Sequence, residues 1–351
     1  MDCHNCGTIP PIQDQGMICL HSTAEAVTLN WHQLVPVLDS VGDLEKVSVY
    51  YNSKDELLGI VTKLLEQLNS QEQASVSISF GALHDEMADS GSSRLQLEMF
   101  AARIQHHHLV SLIADNHFTS HMQPIMNIDS QRVFGYELLM RPLAGQAAFQ
   151  PYELFQVAQQ TGLHSFLDRS ARISAIQASA MHLPKGIKRF INFLPSSIYN
   201  PNFCLSHTFE AIERFEQDPA DFVFEVVETE KIANIAHLKT IFSVYKEHGI
   251  QVALDDVGSG FATLEVLAEL KPHFVKIDRG LISGCNQDDH KQQLIAAIVK
   301  SAEAFGASVL AEGVEEKEEL AFCQSQHISL AQGYLIGKPS SIPLTEKYVS
   351  L

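Results

Sequence analysis

The chain has 351 residues, 45% of them hydrophobic, enough for one large barrel and a smaller second domain. Its formal net charge is −18, with 24 Lys+Arg against 42 Asp+Glu, which argues against nucleic-acid binding by bulk electrostatics. No apolar run reaches the roughly 18 residues of a membrane span. Met1-Asp-Cys-His-Asn-Cys6 lacks the basic and apolar regions of a signal peptide. The expectation is therefore a cytoplasmic protein whose six cysteines are reduced.

In chain order, residues 1–16 form a Cys- and Pro-containing leader. Residues 17–92 read as a small α/β domain. Met17–His21 and Val47–Tyr51 look like strands, and Ser75–Phe80 alternates like a half-buried one. Asp55 to Leu68 carries apolar residues at helical spacing: Leu57, Leu58, Ile60, Val61, Leu64, Leu65 and Leu68. Residues 93–116 are expected to form a linking helix into the large domain, 117–351. There, helical patterns at 165–182, 232–248, 290–305 and 317–325 alternate with short apolar runs. Gly186, Gly249 and Gly306 follow helical segments, where a left-handed cap is expected. Such alternation predicts a parallel sheet with right-handed crossovers, closed into a TIM-like barrel.

Polar side chains recur singly at the ends of the apolar runs. They are Glu137, Asn192, Glu225, Asp255, Asp256, Lys276, Asp278, Glu312 and Gln332. Apart from the close pairs Asp255–Asp256 and Lys276–Asp278, their gaps of roughly 20 to 55 residues are about the length of one strand, helix and strand in a βα repeat. Around a closed barrel these ends converge on one mouth. Six carboxylates gathered there cannot all stay ionised without cations between them. The constellation reads as a divalent-metal site with an activated water, and its hard oxygen donors suit Mg²⁺ or Mn²⁺.

These residues carry a resemblance. Glu137-Leu-Leu-Met-Arg141, Glu225-Val-Val-Glu228, Asp255-Asp-Val-Gly-Ser-Gly260, Val275-Lys-Ile-Asp278, Ala311-Glu-Gly-Val-Glu315 and Gln332-Gly-Tyr-Leu-Ile-Gly-Lys-Pro339 stand in one order. They resemble the motifs of the EAL-domain cyclic di-GMP phosphodiesterases. The resemblance implies a barrel that hydrolyses cyclic di-GMP to linear pGpG with two Mg²⁺ or Mn²⁺ ions. It also implies the roles. Glu137, Asn192 and Glu225 would ligate one ion, Asp255 would bridge both, and Asp256 would serve the second. Glu312 would be the general base or hold the second ion through water, Lys276 would position the attacking water and neutralise charge at the phosphate, and Asp278 and Gln332 would support the second ion and its waters. Arg141, Leu139 and Gln332 would meet substrate, and Glu228 would anchor the loop after Asp256. A homodimer with Val257–Phe261 near the contact is implied as well. Val257 and Val227 stand where the family usually has Phe and Thr, which bears on rate and regulation. The same barrel without turnover would be a cyclic di-GMP receptor signalling through the N-terminal domain.

Outside the barrel, Cys3, Cys6, Cys19 and His21 offer four sulfur or nitrogen ligands, the count of a structural zinc site. Reduced thiols in a leader are the other reading. His106, His107 and His108 fall on a helical stretch, where consecutive side chains diverge. Cys204, Cys285 and Cys323 are isolated in sequence and read as packing residues.

Overall fold

The computed structural model of the chain describes residues 11–22, 46–81, 94–226, 234–258 and 263–344. No helix among them is long and apolar enough to cross a membrane. Contacts divide the chain into two units, 1–117 with 149–167 and 118–148 with 168–351.

The first unit holds β1 (Gly16–Ser22), β2 (Lys46–Tyr51), β3 (Val76–Gly81) and the short β4 (Leu95–Gln96), in the sheet order β2-β1-β3-β4. Both β2 and β3 are antiparallel to β1, so they run parallel to each other with β1 between them. The helix Lys54–Gln67 makes that crossover, a split βαβ unit. Ser53 caps it by accepting from Glu56 N, and Leu57, Val61 and Leu64 are its buried stripe. They pack with Ile18 and Leu20 of β1, Ile78 and Phe80 of β3, and Phe100 and Ile104. The segment expected as one linking helix is two, Leu97–Gln105 and His107–Ala114, broken at His106. The first of them supplies Leu97, Phe100 and Ile104 to this core.

The second unit is a closed eight-stranded barrel. Its strands are β5 (Phe118–Asn127), β6 (Arg132–Pro142), β7 (Lys188–Phe193), β8 (Phe222–Val226), β9 (Gln251–Val257), β10 (Phe274–Ile277), β11 (Ser308–Ala311) and β12 (Leu330–Gln332). The order around the barrel is β10-β11-β12-β5-β6-β7-β8-β9. The all-parallel sheet expected from the alternation is corrected at one strand, because β5 is antiparallel to both neighbours, β6 and β12. The cause is local. Asn127 Oδ1 accepts from Ser130 N and Ser130 Oγ, and Gln131 takes a φ of 53°, so the chain reverses within a few residues. Parallel strands need a long crossover instead. Gly186, Gly249 and Gly306 have φ of 87°, 75° and 78° and take the left-handed conformation expected of them.

Strand periodicity positions the site. Residues facing outward, among them Leu138, Ile191, Phe224, Leu254, Val275 and Val309, join the core shared with the surrounding helices. Ile125, Phe190, Val223, Ala253, Phe274, Leu310 and Leu330 fill the barrel interior as a separate cluster. Two residues further toward the mouth, on the same face of each strand, stand Gln123, Asn192, Glu225, Asp255, Lys276, Glu312 and Gln332. An apolar plug thus lies directly beneath a polar ring.

Candidate active site

Lys276 occupies the centre of that ring, 1% exposed. Its Nζ lies 2.9 Å from Asp255 Oδ1, 2.8 Å from Glu312 Oε1 and 3.8 Å from Glu137 Oε1, and it also pairs with Glu225 Oε2. Burial alone would lower the ammonium's pKa. Asp255, Glu137, Glu225 and Glu312 outweigh it and hold the group charged, well above the ordinary lysine value. Glu225 is fully buried. Desolvation drives its carboxyl well above the usual range, Lys276 pulls the other way, and Glu137 and Asp255 add to the rise. Glu312 is raised too, first by burial and then by Asp255.

The amides fix the carboxylates. Asn192 Nδ2 donates to Glu137 Oε1 at 3.1 Å. Gln332 Nε2 donates to Glu137 Oε2 at 2.6 Å and to Gln123 Oε1 at 3.0 Å. Gln123 Nε2 in turn donates to Gly337 O at 3.2 Å. Glu137, Leu139 and Arg141 alternate along β6 and so share a face, with Gln123, His121 and Thr119 opposite them on β5.

Asp255 and Asp256 are neighbours on β9, and adjacent strand residues ordinarily point to opposite faces. A register shift in the β9–β10 pairing sets Val275 against Leu254 but Ile277 against Val257. Asp256 itself has a φ of 51°, in the left-handed region that a non-glycine residue rarely takes. This bulge turns the second carboxylate toward the first. Asp255, Asp256 and Glu312 each offer an oxygen within 4.8 Å of the others, the one group of three or more such ligands among the described residues. Asp278 lies just past β10 and caps the short helix after it, accepting from Gly280 N at 2.8 Å.

The donor set fits divalent cations. Glu225 Oε1 is buried without a hydrogen-bond partner, while Oε2 pairs with the Lys276 ammonium. Gln332 Oε1 is likewise buried without a donor. Orphaned hard oxygens beside a carboxylate cluster are the chemistry that Mg²⁺ and Mn²⁺ satisfy.

Sequence reasoning missed the residues behind the ring. Gln123 had a signal, a lone amide inside the apolar run Met122–Met126. Asp168 had none beyond its burial, which the structure puts at 2% exposed. Its Oδ1 accepts from Leu194 N at 2.9 Å, and its Oδ2 from Ser197 Oγ and from Arg172 Nε at 3.2 Å. Arg172 Nη1 continues to Thr208 Oγ1. This buried pair anchors the turn that leaves β7 two residues after Asn192.

Of the residues assigned outside the ring, Glu228, Cys3 and Cys6 lie outside those described. Cys19 and His21 share one face of β1, opposite Ile18 and Leu20. There Cys19 Sγ is 3.5 Å from Ser48 Oγ, and His21 Nε2 is 2.9 Å from Ser79 Oγ.

Comparison with known proteins adds the lineage. A probable cyclic di-GMP phosphodiesterase, PdeG of Escherichia coli K12, is 30% identical over 228 residues, which is 62% of this chain and 43% of that protein. The chain thus matches less than half the length of that curated relative. The cyclic di-GMP-bound structure of a standalone versatile EAL protein from Vibrio cholerae O395 is 33% identical. It superposes with a TM-score of 0.59 over 66% of this chain and 95% of that one. The manganese and cyclic di-GMP complex of Klebsiella pneumoniae BlrP1, at 19% identity, shares the fold. Its TM-score is 0.58, over 93% of this chain and 96% of its own. Residues 101–339 match the EAL domain, and the chain belongs to the EAL domain family.

Proposed function

We propose that this protein hydrolyses one phosphodiester bond of cyclic di-GMP to give linear pGpG, using two divalent cations, Mg²⁺ or Mn²⁺. The observation that carries the reading is the complete polar ring above the apolar plug, with Asp255, Asp256 and Glu312 within ligand reach of one another. The names of PdeG and of the cyclic di-GMP-bound Vibrio cholerae protein support it.

Glu137, Asn192, Glu225 and Asp255 are the residues to hold one cation, and Asp255, Asp256 and Asp278 the second. Paired cations at such a site lower the pKa of a shared water and offset charge at the phosphoryl group. With such a water in place, Glu312 would be the group to take its proton, and Lys276 would orient it and neutralise charge on the phosphate. The planar fork of Arg141, on the same strand face as Glu137, is suited to a substrate phosphate, with Leu139 between them as an apolar contact. Gln332 and Gln123 keep the Glu137 carboxylate turned into the ring.

The ring residues all lie beyond residue 110, and we assign residues 1–110 regulation of the barrel. We also assign a cytoplasmic location and a homodimer with Val257–Phe261 near the contact. Solution mass at micromolar protein tests the dimer, and a fully active monomer contradicts it. The activity itself is tested by incubating purified protein with cyclic di-GMP and Mn²⁺ and resolving the nucleotides. Formation of pGpG is expected. Tight binding with the dinucleotide recovered intact would mark a receptor instead.

A further inference from the structure

The segments that follow β10 and β11 meet on one carboxylate. Glu319 lies in the helix Lys317–Ser325 and is 5% exposed. Its Oε1 accepts from Gly284 N at 2.8 Å, and its Oε2 accepts from Glu315 N at 3.0 Å and from Glu316 N at 3.1 Å. One oxygen thus serves each segment. Burial pushes the pKa of this carboxyl up, but the three amides outweigh it and hold the group below its ordinary value.

Each segment starts at a candidate cation ligand. Asp278 opens the first. It caps the short helix Arg279–Ile282, Ser283 N donates back to Arg279 O at 2.8 Å, and Gly284 follows with a φ of 69°. Glu312 opens the second, with only Gly313 and Val314 between it and Glu315. At their near ends the segments are joined by Glu312 N, which donates to Ile277 O at 3.1 Å. At their far ends they are joined by Glu319. Between these ties they pack closely. A Cβ at Gly313 would collide with the Arg279 side chain, and Arg279 Nη2 lies 2.7 Å from Glu315 Oε1. A glutamate that only capped its own helix would need the Glu316 amide alone. The bond to Gly284, 35 positions away in the chain, does nothing for that helix.

We propose that Glu319 is a positioning residue for the second cation, fixing the segments of Asp278 and Glu312 relative to each other from behind the ring. This rests on the two-cation reading of the site and adds what sets the spacing of its ligands. Ligand geometry has to be held within about 0.5 Å, and hydrogen bonds behind a ligand change cation affinity about 10–100-fold when they are removed. Glu319 does this while touching neither cation nor substrate.

Glu319→Gln tests it, because a carboxamide keeps a single oxygen. Whichever segment retains that acceptor, the other faces an NH2 group. Mn²⁺ is titrated into the exhaustively chelated full chain, parent and variant, well below either unfolding midpoint, and free Mn²⁺ is read by electron paramagnetic resonance. One Mn²⁺ binding step should weaken about tenfold while the other and the circular dichroism stay parental. In turnover of cyclic di-GMP, the Mn²⁺ concentration for half-maximal rate should rise about tenfold, with the rate at saturating Mn²⁺ within about twofold of the parent. Glu319→Asp, a second variant, keeps both oxygens but draws them back by one methylene, and should shift the same binding step in the same direction. A lower unfolding midpoint with Mn²⁺ affinity unchanged would make Glu319 a helix cap only and overturn the proposal. Equal weakening of both steps would mark general loosening of the barrel and overturn it too. A parent that binds no Mn²⁺ overturns the two-cation reading itself. A parent that binds two ions, beside variants that bind them equally well, overturns the positioning role alone.

Discussion

Lys276→Met removes the one cation at the centre of the polar ring and keeps its length. In the parent protein the ammonium meets four carboxylates within 4 Å and is 1% exposed. Removing one partner of a buried charge cluster costs about 3–5 kcal/mol, because the remaining charges lose their compensation. Proton uptake by Glu225 and Glu312, both already held above the usual carboxylate range, returns part of that. The expected net loss in chelator at pH 8 is therefore ~3 kcal/mol, or about 6–12 °C in the unfolding midpoint of a barrel of this size. The pH dependence has a definite sign. The Lys276 pKa lies above its unfolded value of 10.5, so its contribution is fully present below that value and constant between pH 5 and 9. The Glu225 and Glu312 pKa values lie above their unfolded 4.5. The folded state thus binds protons that the unfolded state releases, and stability falls as pH rises above about 4.5. In Lys276→Met this fall should steepen, and millimolar Mn²⁺ should recover most of the loss by binding the folded form alone. Thermal unfolding across pH 5–9, with chelator and with Mn²⁺, measures it. A variant as stable as the parent in chelator at pH 8, or an equal loss with and without Mn²⁺, would refute the reasoning.

Three further outcomes are expected. Glu225→Gln should raise the midpoint of the cation-free protein at pH 8 and flatten its decline with pH, since it removes a buried carboxylate; a lower midpoint contradicts this. Asp168→Asn should cost about 3 kcal/mol by leaving Arg172 uncompensated, and should raise the Mn²⁺ concentration for half-maximal turnover about 10–100-fold through the turn behind Asn192. An unchanged cation requirement would leave Asp168 with a purely structural role. Glu137→Ala should keep the barrel folded by circular dichroism while turnover falls by about 100-fold or more, as when one pre-organised charge-stabilising group is lost. Near-parental rates would place the site elsewhere.

The polar ring was legible because a barrel strand writes its geometry into the sequence. An apolar residue, a spacer and a polar residue recur as Phe190-Ile-Asn192, Val223-Phe-Glu225 and Phe274-Val-Lys276, and each sets a side chain one layer above the plug. What stayed hidden depends on pairing between distant segments. The reversal of β5 rests on the Asx turn at Asn127, a signal visible in the sequence but outweighed by the βα alternation around it. The bulge that turns Asp256 toward Asp255 is a property of the β9–β10 register, which no local pattern encodes. Asp168 acts across elements far apart in the chain. The break at His106 belongs to the same class, because packing of Phe100 and Ile104 into the first unit's core outweighs the continuous helical pattern of 94–116.

The central claim is that the carboxylate ring works by holding divalent cations. The most direct measurement is the initial rate of pGpG formation from cyclic di-GMP by exhaustively chelated protein, titrated with Mn²⁺, Mg²⁺ and Ca²⁺ in parallel. The account predicts no turnover before addition, saturable recovery with Mn²⁺ and Mg²⁺, and binding with little turnover in Ca²⁺, whose longer and looser coordination misplaces the attacking water. Turnover that survives chelation at an undiminished rate would contradict it.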